Sequence, residues 1–235
     1  MLPPPRVIVK GNRDWIGAGA GFLFIVLSIV GLGIGGDHPS SIGPIEDIKS
    51  RFLSSPGPFA IQAASYIQAL SVLPFVVFSV RIAQRLWLGG QQWLAAAALS
   101  GAVLTAAILL IENSLLSVLA YSVANDGDSG AIKALYGWRH ILIVYVYIPE
   151  ALTALAIAVG SLATAAFARW YGWVTVVVGV LLLTGAADLA RSGFFRVQGD
   201  HWFYVLLVYI LWTLLTSGIL LTVRRTAQNA VQSAH

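Results

Sequence analysis

Residues 93–123 read WLAAAALSGAVLTAAILLIENSLLSVLAYSV, and Glu112 is the one charged residue among them. An α-helix rises about 1.5 Å per residue, so about 20 apolar residues cross the ~30 Å hydrocarbon layer of a membrane. A helix also satisfies its own backbone hydrogen bonds, which lipid cannot do. A helix of about 30 residues would extend ~45 Å, so we expect this one to tilt or to project beyond the membrane.

Similar apolar runs recur along the chain, at approximately residues 15–36, 59–80, 141–167, 173–189 and 202–223. The composition agrees, since 58% of the residues are apolar and 10% are charged, against about 25% charged residues in an average soluble domain. The predicted fold class is therefore an all-α, polytopic membrane helical bundle with six transmembrane helices. The predicted boundaries are a basic tail at residues 1–14, the transmembrane domain at 15–223 and a second tail at 224–235.

A polar segment follows the first span and contains a short helical pattern at residues 44–53. Pro44 begins the pattern, acidic residues occupy its first turn and basic residues follow, which suits the helix dipole. Ile45, Ile48 and Phe52 share one face at helical spacing. The pattern predicts an amphipathic interfacial helix on the membrane surface. A lid over an outer opening is the alternative.

The connections between the spans also carry signals. After the second span, Arg81, Arg85 and two following glycines predict a turn. Residues 130–138 predict a short interfacial helix that ends before the fourth span. Pro74 lies inside the second span, where the missing N–H of proline predicts a kink. Pro149 lies within the fourth span.

The distribution of basic residues predicts the orientation. Six spans place both termini on one side, and the basic residues expected on that side are Arg6, Lys10, Arg13, Arg81, Arg85, Arg169, Arg224 and Arg225. Because Lys and Arg next to the spans are retained in the cytoplasm, we expect both termini to be cytoplasmic in a multi-pass protein of the cytoplasmic membrane. The Ala-, Val-, Leu- and Gly-rich composition is typical of a bacterial source.

Polar and ionisable residues within the spans mark the candidate site, since such groups usually face the interior of a bundle and find partners there. Counting the helical rise from the span ends places Glu112 and Asp188 in the outer half of the membrane. The predicted polar cluster consists of Glu112, Asn113, Arg139, His140, Glu150, Asp188 and Arg191. Asp188 and Arg191 are expected to form an i,i+3 pair on one helix face.

Two interpretations of this polar cluster stay open. It can be a buried ion-pair network that holds the third, fourth and fifth helices together, because paired charges inside a bundle need no ligand. It can also be a pocket that opens to the outside and takes a small polar ligand, a proton or an ion.

Other kinds of chemistry have little support. The chain has no cysteine, which excludes disulfides, thiolate nucleophiles and cysteine-bound metals. His140 and His201 lie at span ends, where histidines are more often polar anchors than ligands of a haem or a metal. We therefore predict no cofactor, no metal site and, in the absence of a catalytic motif, no catalytic residue. The net charge of +4 is scattered, so no nucleic-acid partner is expected.

The order of segments carries one resemblance. A first span is followed by the Ile45, Ile48 and Phe52 helix, a second span that ends in residues 81–86, and a small-residue-rich run at residues 95–107. This layout resembles a broad group of bacterial six-span integral membrane proteins with domains of unknown function. The resemblance implies the layout and no activity.

We expect an integral membrane protein whose partners are the lipid bilayer and, in some arrangements, a second membrane subunit or another copy of the chain. The favoured function is a small transporter, channel or sensor that uses the polar cluster. One alternative is a non-catalytic accessory subunit of a larger membrane complex. Another is an intramembrane enzyme that uses a carboxyl group or His140 as acid or base.

Overall fold

The computed structural model describes residues 14–36, 43–53, 57–123, 128–164, 166–190, 193–196 and 199–222. These residues contain no named β-strand, so the all-α prediction is confirmed for them. Apart from Asp14, the two predicted tails lie outside the described residues. The helices are α1 (Trp15–Gly35), α2 (Ile45–Leu53), α3 (Pro58–Leu88), α4 (Gln92–Val118), α5 (Ser129–Tyr145), α6 (Tyr147–Ala163), α7 (Arg169–Gly185) and α8 (Asp200–Thr222), with a π-helical turn at Leu119–Val123.

Five helical segments are long and apolar enough to cross a membrane. They are α1, α3, α4 with the start of the π-helical turn, α5 together with α6, and α8. Helix α7 is also apolar but has only 17 residues. Large apolar side chains such as Leu73, Val103 and Val177 point outward and are more than half exposed, as lipid contact allows and water does not. These are the features of a multi-pass membrane protein.

The long helices form a closed ring. Helix α1 packs against α3, α3 against α4, α4 against α6, α6 against α7, α7 against α8, and α8 packs against α1. The bundle has two ends, which we call the Arg81 end, where α1 begins and α3 finishes, and the α2 end, where α1 finishes and α3 begins. Buried apolar residues fill the ring, among them Phe75, Phe78, Ile157, Leu182 and Trp212.

Helix α3 is longer than the second span predicted from sequence. It continues to Leu88, so Arg81 and Arg85 lie in its last two turns, and the prediction that they form a turn is wrong. The buried Ile82 lies between the two arginines in sequence and the buried Leu86 follows them, so the apolar face of the helix continues through this region. Packing of that face therefore extends the helix past the point where the apolar run stops.

The separate interfacial helix predicted for residues 130–138 is wrong. Helix α5 is continuous across this range and extends to Tyr145. The helical segment is interrupted only after that, at Val146. Pro149 explains why the interruption is at Val146. A proline has no N–H to donate to the carbonyl four residues earlier, which here is the carbonyl of Tyr145. The fourth predicted span is thus two helices that meet at a proline break.

Helix α7 ends at Gly185, earlier than the fifth span predicted. Asp188 lies in the connection that follows, where its N–H donates to the carbonyl of Gly185 over 3.2 Å. The prediction that Asp188 lies on the helix of the fifth span is therefore wrong. Arg191 itself lies outside the described residues.

Helix α2 packs across the α2 end of the bundle. Ile48 and Phe52 are completely buried and Ile45 is half-buried, whereas Glu46 and Asp47 in its first turn are exposed. Its apolar side chains join a second core cluster, separate from the main one, with Ile61, Leu116, Leu119, Ile132 and Tyr136. Helix α2 thereby connects α3, the π-helical turn and α5.

Candidate functional site: a cavity inside the helical ring

A cavity of about 160 Å³ lies inside the bundle, in the half nearer the α2 end. Its wall is formed by α1, α3, α4, α5, α6, α8 and the break at Val146. Helix α5 packs against α2 and α4, and α8 packs against α1 and α7, so the space between α5 and α8 stays open. Most of the wall is apolar, and its polar or ionisable members are Ser28, Gln68, Ser71, Glu112, Asn113, Arg139, Tyr147, Glu150, Trp202 and Tyr209.

A buried ion pair joins α4 and α5 in the cavity wall. Nη2 of Arg139 lies 2.6 Å from Oε1 of Glu112, and the two side chains are only 4% and 6% exposed. Nε and Nη1 of Arg139 have no hydrogen-bond partner among the described residues. The guanidinium carries five N–H donors, so pairing neutralises its charge and still leaves donors for water or for a solute in the cavity.

Two further polar atoms in the wall lack a partner within the described part of the chain. Asn113 donates Nδ2–H to the carbonyl of Leu109 over 2.8 Å, but its Oδ1 accepts no hydrogen bond. The indole Nε1 of Trp202 donates none. A buried polar atom without a partner costs about 1–3 kcal/mol. Both atoms are therefore expected to bind water or a solute.

Glu150 lies in the wall of the cavity that faces the Arg81 end. It belongs to the first turn of α6, is 5% exposed, and lines the cavity together with Tyr209 of α8. Its Oε2 has no hydrogen-bond partner among the described residues. Glu150 and Tyr209 also line a second, much smaller pocket of about 10 Å³ on their other side. The two side chains thus separate the cavity from this pocket.

Polar atoms without partners decide whether the cavity holds water. A purely apolar cavity of about 150 Å³ stays dry, whereas a polar one binds waters that make two to four hydrogen bonds each. The donors of Arg139 and Trp202 and the acceptors of Asn113 and Glu150 supply such partners here. At about 30 Å³ per molecule of liquid water, the volume corresponds to roughly five waters. The cavity is therefore suited to water or to a small solute with a polar group.

Four residues of the predicted polar cluster line this cavity, namely Glu112, Asn113, Arg139 and Glu150. They come from three different helices, α4, α5 and α6. The structure thus brings these four side chains to one cavity, in the half of the bundle nearer the α2 end.

The other three members of the predicted cluster lie elsewhere or are not described. The ring nitrogen Nδ1 of His140 is 2.9 Å from the carbonyl oxygen of Tyr136, and His140 is not among the cavity-lining residues. The buried Asp188 pairs with Nδ1 of His201 at 2.8 Å. Burial raises the pKa of Asp188, and the hydrogen bond with His201 opposes this effect. Arg191 lies outside the described residues.

Several cavity residues were missed by sequence reasoning. Gln68, Tyr147, Trp202 and Tyr209 are in the wall but were not part of the predicted cluster. The available signal was the same one that identified Glu112, a polar group inside an apolar run, and it was weaker because these side chains are neutral. Tyrosine and tryptophan are also common at membrane interfaces, so their type alone does not identify a cavity.

A second polar group was missed at the Arg81 end. Asp14 accepts a hydrogen bond from the backbone N–H of Gly17 over 2.9 Å and pairs with Nε of Arg81 at 3.0 Å. Arg85 donates from Nη2 to the carbonyl of Leu220 over 3.0 Å. These contacts tie the beginning of α1 to the ends of α3 and α8. They are structural contacts on the side opposite to the cavity.

The described residues contain no group of three or more His, Cys, Asp or Glu side chains that could hold a metal ion. The cavity offers instead one neutralised ion pair, several hydrogen-bonding atoms and the carboxyl group of Glu150. This set can bind a small polar molecule or water, and it can bind a proton. No protein-family model matches the chain, and no curated protein or solved structure is significantly similar to it.

Proposed function

We propose that this chain is a small transporter, channel or sensor of the cytoplasmic membrane, which takes a small polar ligand or ion into the cavity. The observation that carries this proposal is a group of polar atoms that have no hydrogen-bond partner among the described residues and belong to side chains lining one cavity, those of Arg139, Asn113, Glu150 and Trp202. A bundle held together only by a structural ion-pair network would satisfy these atoms within the protein.

The proposal includes six membrane crossings. Helix α7 is the shortest of the crossing helices at 17 residues, which at about 1.5 Å per residue gives ~26 Å, close to the hydrocarbon thickness of ~30 Å. It packs between α6 and α8, both of which belong to segments long enough to cross. A helix in that place in the ring has to run from one end of the bundle to the other.

The Arg81 end is the cytoplasmic end in this proposal, and the cavity opens toward the outside. Arg81, Arg85 and Arg169 lie at the Arg81 end, and basic residues next to spans favour the cytoplasm. Helix α2 then lies at the outer interface. Its exposed Glu46 and Asp47 and its buried Ile48 and Phe52 suit such a position.

The cavity restricts the ligand by size and by chemistry. About 160 Å³ admits a few waters, a hydrated ion or a compact organic molecule. The free N–H groups of Arg139 favour a hydrogen-bond acceptor, and Oδ1 of Asn113 favours a donor. Because Glu112 already neutralises Arg139, a ligand with no net charge, or with both a donor and an acceptor, fits best.

Cysteine labelling in intact cells tests the proposal, since the chain has no cysteine of its own. Ser28 is half-buried and lines the cavity, whereas the next residue, Ile29, is 50% exposed on the outer surface of the same helix and does not. We expect a small, charged, membrane-impermeant methanethiosulfonate reagent to label Ser28→Cys. It should not label Ile29→Cys, which faces lipid at the same depth.

Ser233→Cys, in the C-terminal tail, is the control for orientation. If the termini are cytoplasmic, it should react only after the cells are permeabilised. Labelling of Ser233→Cys in intact cells would contradict the orientation. An unreactive Ser28→Cys, in cells and after permeabilisation alike, would contradict the open cavity and would favour an accessory subunit with a sealed interior.

A further inference from the structure

Among the described residues, Glu150 differs from the other acidic residues inside the bundle because it has no basic partner. Glu112 pairs with Arg139, Asp188 with His201, and Asp14 with Arg81. Among the described residues, Glu150 forms no ion pair, although it is 5% exposed. An ionised carboxylate without a partner is strongly disfavoured in such a place, whereas a protonated carboxyl group is neutral and can donate a hydrogen bond.

The position of Glu150 gives its proton two sides to exchange with. Toward the α2 end Glu150 lines the cavity, and toward the Arg81 end it lines the pocket of about 10 Å³. This pocket has room for about one water molecule. Thr153, Ser79 and Trp212 form the rest of its polar lining. Tyr209 borders both spaces beside Glu150, so these two side chains connect the cavity with the pocket.

We propose that Glu150 is a proton-binding site that connects the cavity with the pocket, and that protons cross the bundle by way of Glu150 and Tyr209. This inference rests on the proposed opening of the cavity to water. A hydronium ion in the cavity gives its proton to the free Oε2 of Glu150. At the same time, the protonated carboxyl group passes the proton on its other oxygen to the hydroxyl oxygen of Tyr209, which releases its own proton to a water in the pocket. Rotation of the carboxyl and hydroxyl groups then returns both side chains to their starting state.

A row of buried hydroxyl groups continues from the pocket toward the Arg81 end. Thr213, Thr216 and Ser217 of α8 are completely buried. The hydroxyl group of Thr216 lies 2.8 Å from that of Tyr171 on α7. Each of the three α8 hydroxyls donates to a carbonyl of its own helix, which leaves its oxygen free to accept a hydrogen bond. Beyond this row lies Arg85, bonded to the carbonyl of Leu220.

The other titratable groups near Glu150 do not replace it. Glu112 and Arg139 share the cavity but neutralise each other at 2.6 Å. Tyr147 and Tyr209 are the remaining titratable residues of the cavity wall. A phenol gives up its proton only near pH 10 in water, so at neutral pH a tyrosine can relay a proton but cannot store a charge.

Proton flux into liposomes tests the inference. The purified full-length protein is reconstituted into liposomes that contain a pH-sensitive dye, and a potassium diffusion potential set with valinomycin drives protons inward. We expect the wild-type protein to acidify the lumen faster than protein-free liposomes. Glu150→Gln, which keeps the shape of the side chain but cannot bind the proton, should slow this flux roughly tenfold or more.

Two further variants make the result specific. Tyr209→Phe keeps the ring and removes only the hydroxyl group, and it should also slow the flux. Glu46→Gln changes an exposed carboxyl group on α2 and should leave the flux unchanged. Each variant is compared only after it elutes as the wild-type protein does in size-exclusion chromatography. If Glu150→Gln does not elute as the wild-type protein does, the flux of Tyr209→Phe provides the test.

The outcomes separate this inference from the proposed function. A wild-type flux no greater than that of protein-free liposomes overturns the proton route, and so does a Glu150→Gln flux equal to that of the wild type. If either occurs while Ser28→Cys is labelled from outside, the open cavity stands and the proton route fails. If Ser28→Cys is never labelled, the proposed function fails as well.

Discussion

The ion pair between Glu112 and Arg139 should contribute strongly to stability, and replacing one partner at a time measures by how much. Both side chains are nearly inaccessible, and their charged atoms are 2.6 Å apart. Glu112→Gln leaves Arg139 as a buried charge without a counter-charge, and Arg139→Gln does the same to Glu112. In soluble proteins such a loss costs about 3–5 kcal/mol.

The expected result can be expressed as a change in melting temperature. For a chain of 150–250 residues, 1 kcal/mol corresponds to about 2–4 °C. Each single variant should therefore melt about 6–20 °C below the wild type in detergent. The double variant Glu112→Gln with Arg139→Gln contains neither charge, so it should melt above both single variants. Glu46→Gln, an exposed carboxyl group on α2, should stay within about ±0.5 kcal/mol of the wild type.

The assay is thermal unfolding of the purified protein, followed by intrinsic tryptophan fluorescence. Single variants that melt as the wild type does, or at a higher temperature, would refute the pairing argument. They would indicate that the pair sacrifices stability for binding. A double variant whose loss equals the sum of the two single losses would also refute it, because independent residues are additive and a coupled pair is not.

Two other perturbations test the packing of the ring. A Cβ atom on Gly101 would lie 2.6 Å from the carbonyl oxygen of Pro149, so Gly101→Ala should lower the free energy of unfolding by about 1–3 kcal/mol through overpacking. The control is Gly218→Ala, which has open space around its Cβ position and should melt at the wild-type temperature or above it. Asp14→Ala removes both the cap of α1 and the ion pair with Arg81, so it should lower the free energy of unfolding by about 1–2 kcal/mol. Asp14→Asn keeps a capping oxygen and should lower it by less. An unchanged melting temperature for Gly101→Ala, or equal losses for the two Asp14 variants, would contradict these contacts.

The helical class and the approximate positions of the long helices could be predicted from sequence. Apolar runs are a local signal, and membrane crossing imposes the same minimum length on each of them. The same reasoning predicted that Glu112, Arg139 and Glu150 face the interior of the bundle, because exposing a charged group to lipid is energetically costly.

The helix ends could not be predicted, because contacts distant in sequence determine them. Arg81 remains helical where its guanidinium meets Asp14, which lies in another segment of the chain. Asp188 lies outside α7 and finds its partner in His201 on the next helix. The cavity itself follows from which helices pack against each other in the ring, a tertiary feature that no periodicity in a single helix encodes.

The proline break at Val146 lies between two ionisable residues of the cavity wall. Arg139 lies on α5, before the break, and Glu150 lies on α6, after it. The hydroxyl group of Thr153 donates to the carbonyl of Ala98 over 3.2 Å, which anchors α6 against α4. A bend at Val146 would therefore move Arg139 relative to Glu150 while α6 stays fixed. The helical hydrogen bond that Pro149 cannot make is therefore missing between the residue that holds the ion pair and the residue proposed to hold the proton, and a bend at this point would change the distance between them.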